Sequence, residues 1–202
     1  MPKLLLATTN EGKSREFRYL LKGVPFELVT PKELGTNVDV AEDKASYEEN
    51  ASLKAEAYAK ASGIITLADD SGLEVDALNG EPGIRSARYA GEHAGDKDRV
   101  KYLLAKLEDV PPEKRNARFR CIIAIAVPGE KTVICRGDCP GFVTTEPRGE
   151  NGFGYDPVFY FAELGKTMAE LSMEQKGQVS HRGRAANEAR RILWQLAEKV
   201  KA

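Results

Sequence analysis

Hydrophobic positions along the chain recur with two periods, one near two and one near 3.6, the signatures of strands and helices respectively. Residues 3–7, 26–30 and 64–68 are short apolar runs of strand length. Residues 73–78 alternate, with Leu73, Val75 and Ala77 opposed to Glu74 and Asp76, which predicts a half-buried strand. The run 117–127 is the strongest strand signal, and the turn Pro128-Gly129-Glu130-Lys131 joins it to 132–136 as a hairpin. Residues 142–145 add another antiparallel strand, and 158–161 form a further apolar run. Between these lie helical stretches. One begins near Lys13 and carries Phe17, Leu20 and Leu21 on one face. A second opens at Ser46, with Glu49 placed for a capping box, and stops at Gly63. Its face of Ala51, Ala55, Tyr58, Ala59 and Ser62 suits close packing on a sheet, with Lys54 and Lys60 reading as its solvated side. A third is capped by Asp96, points Val100, Leu103, Leu104 and Leu107 inward, and closes at Pro111-Pro112. The last places Ala189, Ile192, Leu193, Leu196, Ala197 and Val200 on one face. Residues 31–43 read as a loop, and Asn79-Gly80-Glu81-Pro82-Gly83 as a turn. Strands alternating with helices predict the α/β class.

Composition narrows this picture. A chain of 202 residues can bury one sizeable core and is short for two independent domains, so 1–202 is expected to be a single domain. The net charge of −1 supplies no global attraction to nucleic acid or to an anionic membrane, which makes any basic binding surface local. Leu4-Leu5-Leu6 is too short for the core of a signal peptide, and no run reaches membrane-spanning length. Three cysteines and two histidines indicate neither a disulfide framework nor a zinc site; reduced thiols in a cytoplasmic protein are the simplest account.

Candidate chemistry gathers at strand ends and in loops. After residues 64–68 comes Asp69-Asp70-Ser71-Gly72. Ionised carboxylates are costly to desolvate, so the pair is expected to emerge where the strand stops, with Gly72 permitting a change of direction. Ligands of α/β proteins sit beyond strand ends, and adjacent carboxylates suit a hard cation such as magnesium. An ordinary surface turn is the other reading of these four residues. After residues 3–7 comes Thr8-Thr9-Asn10-Glu11-Gly12-Lys13 at a helix start. Its first N–H groups lack internal partners and its dipole end is positive, which suits an anion. Helix capping by Thr9 or Asn10 accounts for the same residues without a ligand. The stretch lacks the further glycines of a Walker loop, although Lys13-Ser14 is the Lys-Ser pair of that pattern. Gly149-Glu150-Asn151-Gly152-Phe153-Gly154-Tyr155-Asp156-Pro157 is either a functional loop or a tight connection into 158–161. Lys176, Ser180, His181 and Arg182 give the last helix a basic start, which suits a phosphate chain or an oxygen-rich base, or is a solvated helix end.

Taken in order, TTNEGK, EENASLKA, LADDSGLEVDALNGEPGIRSARYAG, NGFGYDP and SHRG resemble the inosine/xanthosine triphosphate pyrophosphatase family, the non-canonical purine triphosphate diphosphatases. The matches run from Leu5 to Gly183, and Asn151 stands where the family often has glycine, a departure that bears on loop stiffness. The resemblance implies an α/β fold with a long mixed β-sheet, helices on its faces, and two lobes around a central nucleotide cleft. It implies a magnesium-dependent homodimer whose partner is a small-molecule nucleotide, with no direct nucleic-acid or membrane partner. The reaction implied is hydrolysis between the α- and β-phosphates of a nucleoside triphosphate, ITP, dITP or XTP, to monophosphate and pyrophosphate. Carried onto this chain, it assigns Thr8, Thr9, Asn10, Glu11, Gly12 and Lys13 to the triphosphate, with Lys13 and Lys54 as its cations. Glu42 and Asp70 would hold the metal, Asp70 would also be the general base, and Ser71 would contact substrate. Phe153, Gly154, Tyr155, Asp156, Lys176, His181 and Arg182 would line the base and sugar end; Arg182 offers only donors, so if it faces position 6 it favours the oxo bases. Consecutive strand residues point to opposite faces, so Asp69 and Asp70 should have different jobs. The choice of Asp70, and of Glu42 over Asp43, rests on the resemblance.

Overall fold

The computed structural model describes residues 1–36, 38–41 and 43–201, with the backbone alone for Val200 and Lys201. Seven strands form one mixed sheet, and six α-helices accompany them among the described residues. In chain order these are β1 (Lys3–Leu6), α1 (Glu11–Leu20), β2 (Glu27–Val29), α2 (Pro31–Leu34), α3 (Tyr47–Ser62), β3 (Ile65–Val75) and α4 (Asp96–Lys106). There follow β4 (Asn116–Ala126), β5 (Val133–Val143), β6 (Phe159–Phe161), β7 (Lys166–Thr167), α5 (Met173–Val179) and α6 (His181–Lys201). Hydrogen-bonded neighbours run β2-β1-β3-β4-β5-β6-β7. β1 is parallel to β2, with Leu5 opposite Val29, and parallel to β3, with Leu6 opposite Leu67. Residues 127–132 are too few for a crossover, so β4 and β5 form the antiparallel hairpin that the sequence predicts. β5, β6 and β7 continue antiparallel.

The chain divides into two compact units. The first comprises Met1–Asp70, Cys121–Gly137 and Arg182–Ala202; the second comprises Ser71–Arg120 and Asp138–His181. In the first, Leu4 and Leu6 of β1 pack in one apolar cluster with Phe17 and Leu21, with Ile123 and Ile125 of β4, and with Ala185, Ala189, Leu193 and Leu196 of α6. The spacing of those α6 residues is the helical stripe read from the sequence. Ile192, expected in the core, is only half-buried at the edge of that stripe. In the second unit, Leu73, Val75, Val100, Leu103, Leu107, Phe119 and Phe159 form a separate apolar cluster. A side chain at Gly141 would come within 2.5 Å of the Tyr160 carbonyl and 2.6 Å of the Phe159 ring, so only glycine lets β5 and β6 meet there.

Several local expectations are corrected. β3 does not stop before the two aspartates: it runs unbroken through Asp69-Asp70-Ser71-Gly72 to Val75, and Gly72 turns nothing. β5 likewise extends through the predicted break at 137–141. Residues 31–34 are not loop but a short helix, with Thr30 and Glu33 forming a reciprocal capping box. α4 is capped from Gly95, whose N–H donates to Asp98, leaving Asp96 as the first helical residue. His181 and Arg182 do begin the last helix, whereas Lys176 lies in a separate short helix, α5, with Ser180 between the two. Ser46 and Gly63 do bound α3 as predicted, Ser46 Oγ accepting from the Glu49 N–H at 3.2 Å.

Candidate active site

β1 stops at Leu6, while its neighbour β3 continues past Leu67. β2 and β3 flank β1 on opposite sides, so the carboxyl end of β1 is where the strand order reverses, the usual ligand position in open parallel sheets. The segment Thr8 to Lys13 occupies that end. Asn10 caps α1, its Oδ1 accepting from the Lys13 N–H at 2.9 Å, and the Asn10 N–H donates to Thr8 Oγ1 at 3.2 Å. The cap uses one of the four N–H groups that a helix start leaves without internal partners. Thr9, Asn10 and Glu11 are exposed, Thr8 and Lys13 half-buried, and Gly12 buried.

Beside this loop, Asp69 is fully enclosed. Lys13 Nζ lies 2.9 Å and an Arg182 guanidinium nitrogen 3.5 Å from its Oδ2. Arg182, at 2% exposure, is held from its other side by Glu16 at 2.6 Å. Burial pushes the Asp69 carboxyl upward, but Lys13, then Arg182 and Lys54, outweigh it and hold the group well below the usual carboxylate range. Lys54, which sequence patterning placed on the solvated face of α3, is only 8% exposed. A buried lysine needs compensating negative charge, and Asp69 supplies some of it.

Asp70 has a different environment. Its Oδ2 accepts from Asn50 Nδ2 at 3.0 Å, and Asn50 Oδ1 accepts from the Lys44 N–H at 3.0 Å. Asp69 thus pairs with cations, and Asp70 accepts from the neutral amide of Asn50. Among the described residues no three acidic, histidine or cysteine side chains cluster as a metal cage. Magnesium does not require one, because it retains waters and takes one or two carboxylates plus substrate phosphates. Asp70 fits that donor set; Glu42, the other predicted ligand, lies outside the described residues.

In the second unit the loop at 149–157 is tightly pinned. The Phe153 N–H donates to Asp156 Oδ2 at 2.8 Å, and Lys176 Nζ pairs with the same oxygen. That ammonium also lies 5.1 Å from the Phe153 ring centroid. The Gly154 N–H donates to Asp96 at 2.8 Å, and Tyr155 Oη donates to the Ser86 carbonyl at 2.9 Å. Gly152 has φ +77°, and a side chain there would start 2.0 Å from Asp156 Oδ2, so glycine is required. Asn151 needs no left-handed backbone, and its side chain donates to the Leu171 carbonyl at 3.1 Å, stiffening the loop. His181 is buried and stacks on Phe119 at 4.5 Å between centroids.

The sequence profile of the Ham1 family matches residues 4–192. The chain belongs to the Ham1 family. It is 50% identical over 185 residues to a dITP/XTP pyrophosphatase of Geobacter sulfurreducens, an alignment covering 92% of this chain and 93% of that one. It is 46% identical over 195 residues to the dITP/XTP pyrophosphatase of Bacillus licheniformis, covering 96% and 100%. Among solved structures, the Ham1 protein of Staphylococcus aureus superimposes with a TM-score of 0.84 at 46% identity, covering 95% of this chain and 97% of that one.

Of the site residues expected in this Ham1 chain, Thr8 to Lys13, Lys54, Asp70 and Arg182 belong to the first unit. Ser71, Phe153 to Asp156, Lys176 and His181 belong to the second. Lys13 and Arg182, expected on phosphate and base, both carry an ion pair to Asp69. Sequence reasoning missed Glu16 and Asn50. Both had a signal: Glu16 adjoins Phe17 on the apolar side of α1, and Asn50 and Lys54 extend the Ala51-Ala55-Tyr58 stripe at four-residue spacing.

Proposed function

We propose that this protein hydrolyses non-canonical purine nucleoside triphosphates, ITP, dITP and XTP, to the monophosphate and pyrophosphate, keeping them out of DNA and RNA. The reading is carried by the first unit, where Lys13 at a helix start pairs with Asp69, the neighbour of Asp70 in β3, beside the strand-order reversal. It agrees with the activity named for the relatives in G. sulfurreducens and B. licheniformis. The uncapped N–H groups of α1, with Lys13 and Lys54, bind the triphosphate and offset its charge. Asp70 orients the attacking water and takes its proton, and Asp69 holds Lys13 in place. Magnesium, held by Asp70 and Glu42, would supply charge neutralisation at the phosphoryl oxygens.

Selection of the base follows from donors and acceptors. Arg182 offers only donors and stays charged, and Glu16 fixes its plane. Hypoxanthine and xanthine present an oxygen at position 6, adenine a donating amino group, and a site built for one pattern rejects the other because its own polar groups are left unpaired. Phe153 stacks on any purine. Nucleic acid is disfavoured as a partner by the net charge of −1; of the α6 arginines, Arg184 and Arg191 are exposed, while Arg182 is buried and Arg190 donates to the Leu20 and Lys22 carbonyls. The enzyme is expected to work as a cytoplasmic homodimer, which sedimentation analysis tests. The deciding experiment is a nucleotide panel with magnesium in which both products are measured. Equimolar monophosphate and pyrophosphate from ITP and XTP, with little from ATP, is the expected result; orthophosphate as product, or no turnover, would overturn the reading.

A further inference from the structure

We infer that Asn50 is a positioning residue for the reaction, acting through Asp70. This rests on the role proposed for Asp70 above. Asn50 is only 2% exposed and sits in the first turns of α3, where an asparagine contributes little to helix stability. Its amide spans two groups of the first unit that differ in kind. On one side is the Lys44 N–H, which can only donate, so the atom facing it at 3.0 Å is the amide oxygen. The –NH2 group must then face the other way, and there it meets Asp70 Oδ2 at 3.0 Å. Both ends agree on a single orientation, so the amide cannot flip without losing both bonds.

Two consequences follow for Asp70. One carboxylate oxygen is tied to a donor on a helix, so the rotation of the whole carboxylate, and the direction of its second oxygen, is set by α3 rather than by β3 alone. The same side chain tethers the backbone at Lys44, two residues beyond Glu42 in the sequence, to the carboxylate with which Glu42 is expected to work. Reaction geometry is sensitive to such placement, and partners that orient a ligating carboxylate commonly matter about 10–100-fold.

The test is a double-mutant cycle in kcat and KM for ITP with Asn50→Ala, Asp70→Asn and the pair, alongside Asn50→Asp. Asn50→Asp keeps the acceptor for Lys44 and loses the donor to Asp70, so it separates the tether from the orientation and covers the case in which Asn50→Ala folds poorly. A crystal structure of whichever Asn50 variant folds reads the Asp70 carboxylate directly. The expected result is an at least roughly 10-fold lower kcat in both Asn50 variants with KM little changed, a rotated or split Asp70 carboxylate, and no further loss from Asn50→Ala once Asp70→Asn is present. Wild-type kcat in Asn50→Asp, an unmoved Asp70 carboxylate, or the same fractional loss on both Asp70 backgrounds would overturn the inference. Full activity in Asp70→Asn would instead overturn the role of Asp70, a separate outcome within the same cycle.

Discussion

Asp69→Asn and Asp70→Asn are adjacent, nearly isosteric substitutions that should have opposite consequences. The Asp69 side chain is 0% exposed, with Lys13 at 2.9 Å and Arg182 at 3.5 Å. Removing one partner from a buried ion pair costs about 3–5 kcal/mol, because the remaining charge is stranded. The lower end applies, since Arg182 retains Glu16 at 2.6 Å and the Lys13 side chain is 17% exposed, within reach of water. With a urea dependence of about 3 kcal/mol per molar for a chain of this size, a loss of about 3 kcal/mol lowers the unfolding midpoint by about 1 M. Asp70→Asn keeps an oxygen that can accept from Asn50, so its midpoint should move by less than about 0.5 M, while turnover falls at least roughly 10²-fold. The acid limb adds a second readout. The Asp69 carboxyl is held below its ordinary value, so its contribution to stability is complete above the ordinary carboxylate range and is lost as pH falls through the depressed native value. Asp69→Asn should therefore flatten the loss of stability at low pH. An unmoved midpoint in Asp69→Asn, or equal shifts in the two variants, would refute the division of labour between these carboxylates.

Other outcomes follow from single contacts. Leu193→Ala, in the first unit's apolar cluster, should cost about 2–5 kcal/mol in urea unfolding, and an unchanged midpoint would mean α6 is not docked through that stripe. Gly152→Ala should displace Asp156 from Phe153 and raise KM for ITP, since both its φ and the 2.0 Å approach to Asp156 forbid a side chain; wild-type KM would remove this loop from the binding site. Arg182→Ala should reduce turnover of ITP by a larger factor than turnover of ATP, whereas equal factors would confine Arg182 to the ion cluster with Glu16 and Asp69.

Sequence pattern reached the elements whose signals are local. Ser46 and Gly63 bracket α3 because capping is a matter of a few neighbouring residues. The stripe on α6 is legible because one helix face meets one apolar cluster. The length of β3 is not legible for the opposite reason. Two aspartates in a buried strand are tolerable only when partners compensate them, and those partners, Lys13, Asn50 and Arg182, lie far away in sequence. The sequence reads 132–136 and 142–145 as two strands, yet Cys135, Gly137 and Cys139 are buried in strict alternation with exposed Arg136, Asp138 and Pro140, the mark of one continuous strand. Lys54 reads as solvated from its charge, but it follows the buried stripe of Asn50, Ala51 and Tyr58. The ordered motifs place the chain in its family; of the supports behind them, Glu16 lies outside every motif, and Asn50 lies inside EENASLKA without the motif showing what it touches.

The first compact unit is assembled from three stretches separated in the chain, the last of them Arg182–Ala202. Synthesis therefore delivers the beginning of this unit first and its closing helix last, with the whole second unit made in between. Residues 1–70 must wait on the ribosome with Phe17 and Leu21 uncovered until Ala185, Ala189 and Leu193 emerge. The last twenty or so residues are thus no dispensable tail: a nascent chain halted at Ser180 should leave residues 1–70 open to protease, and resistance there would show that the unit closes without α6. Closure of the first unit's apolar cluster is therefore expected only after the whole second unit has been made.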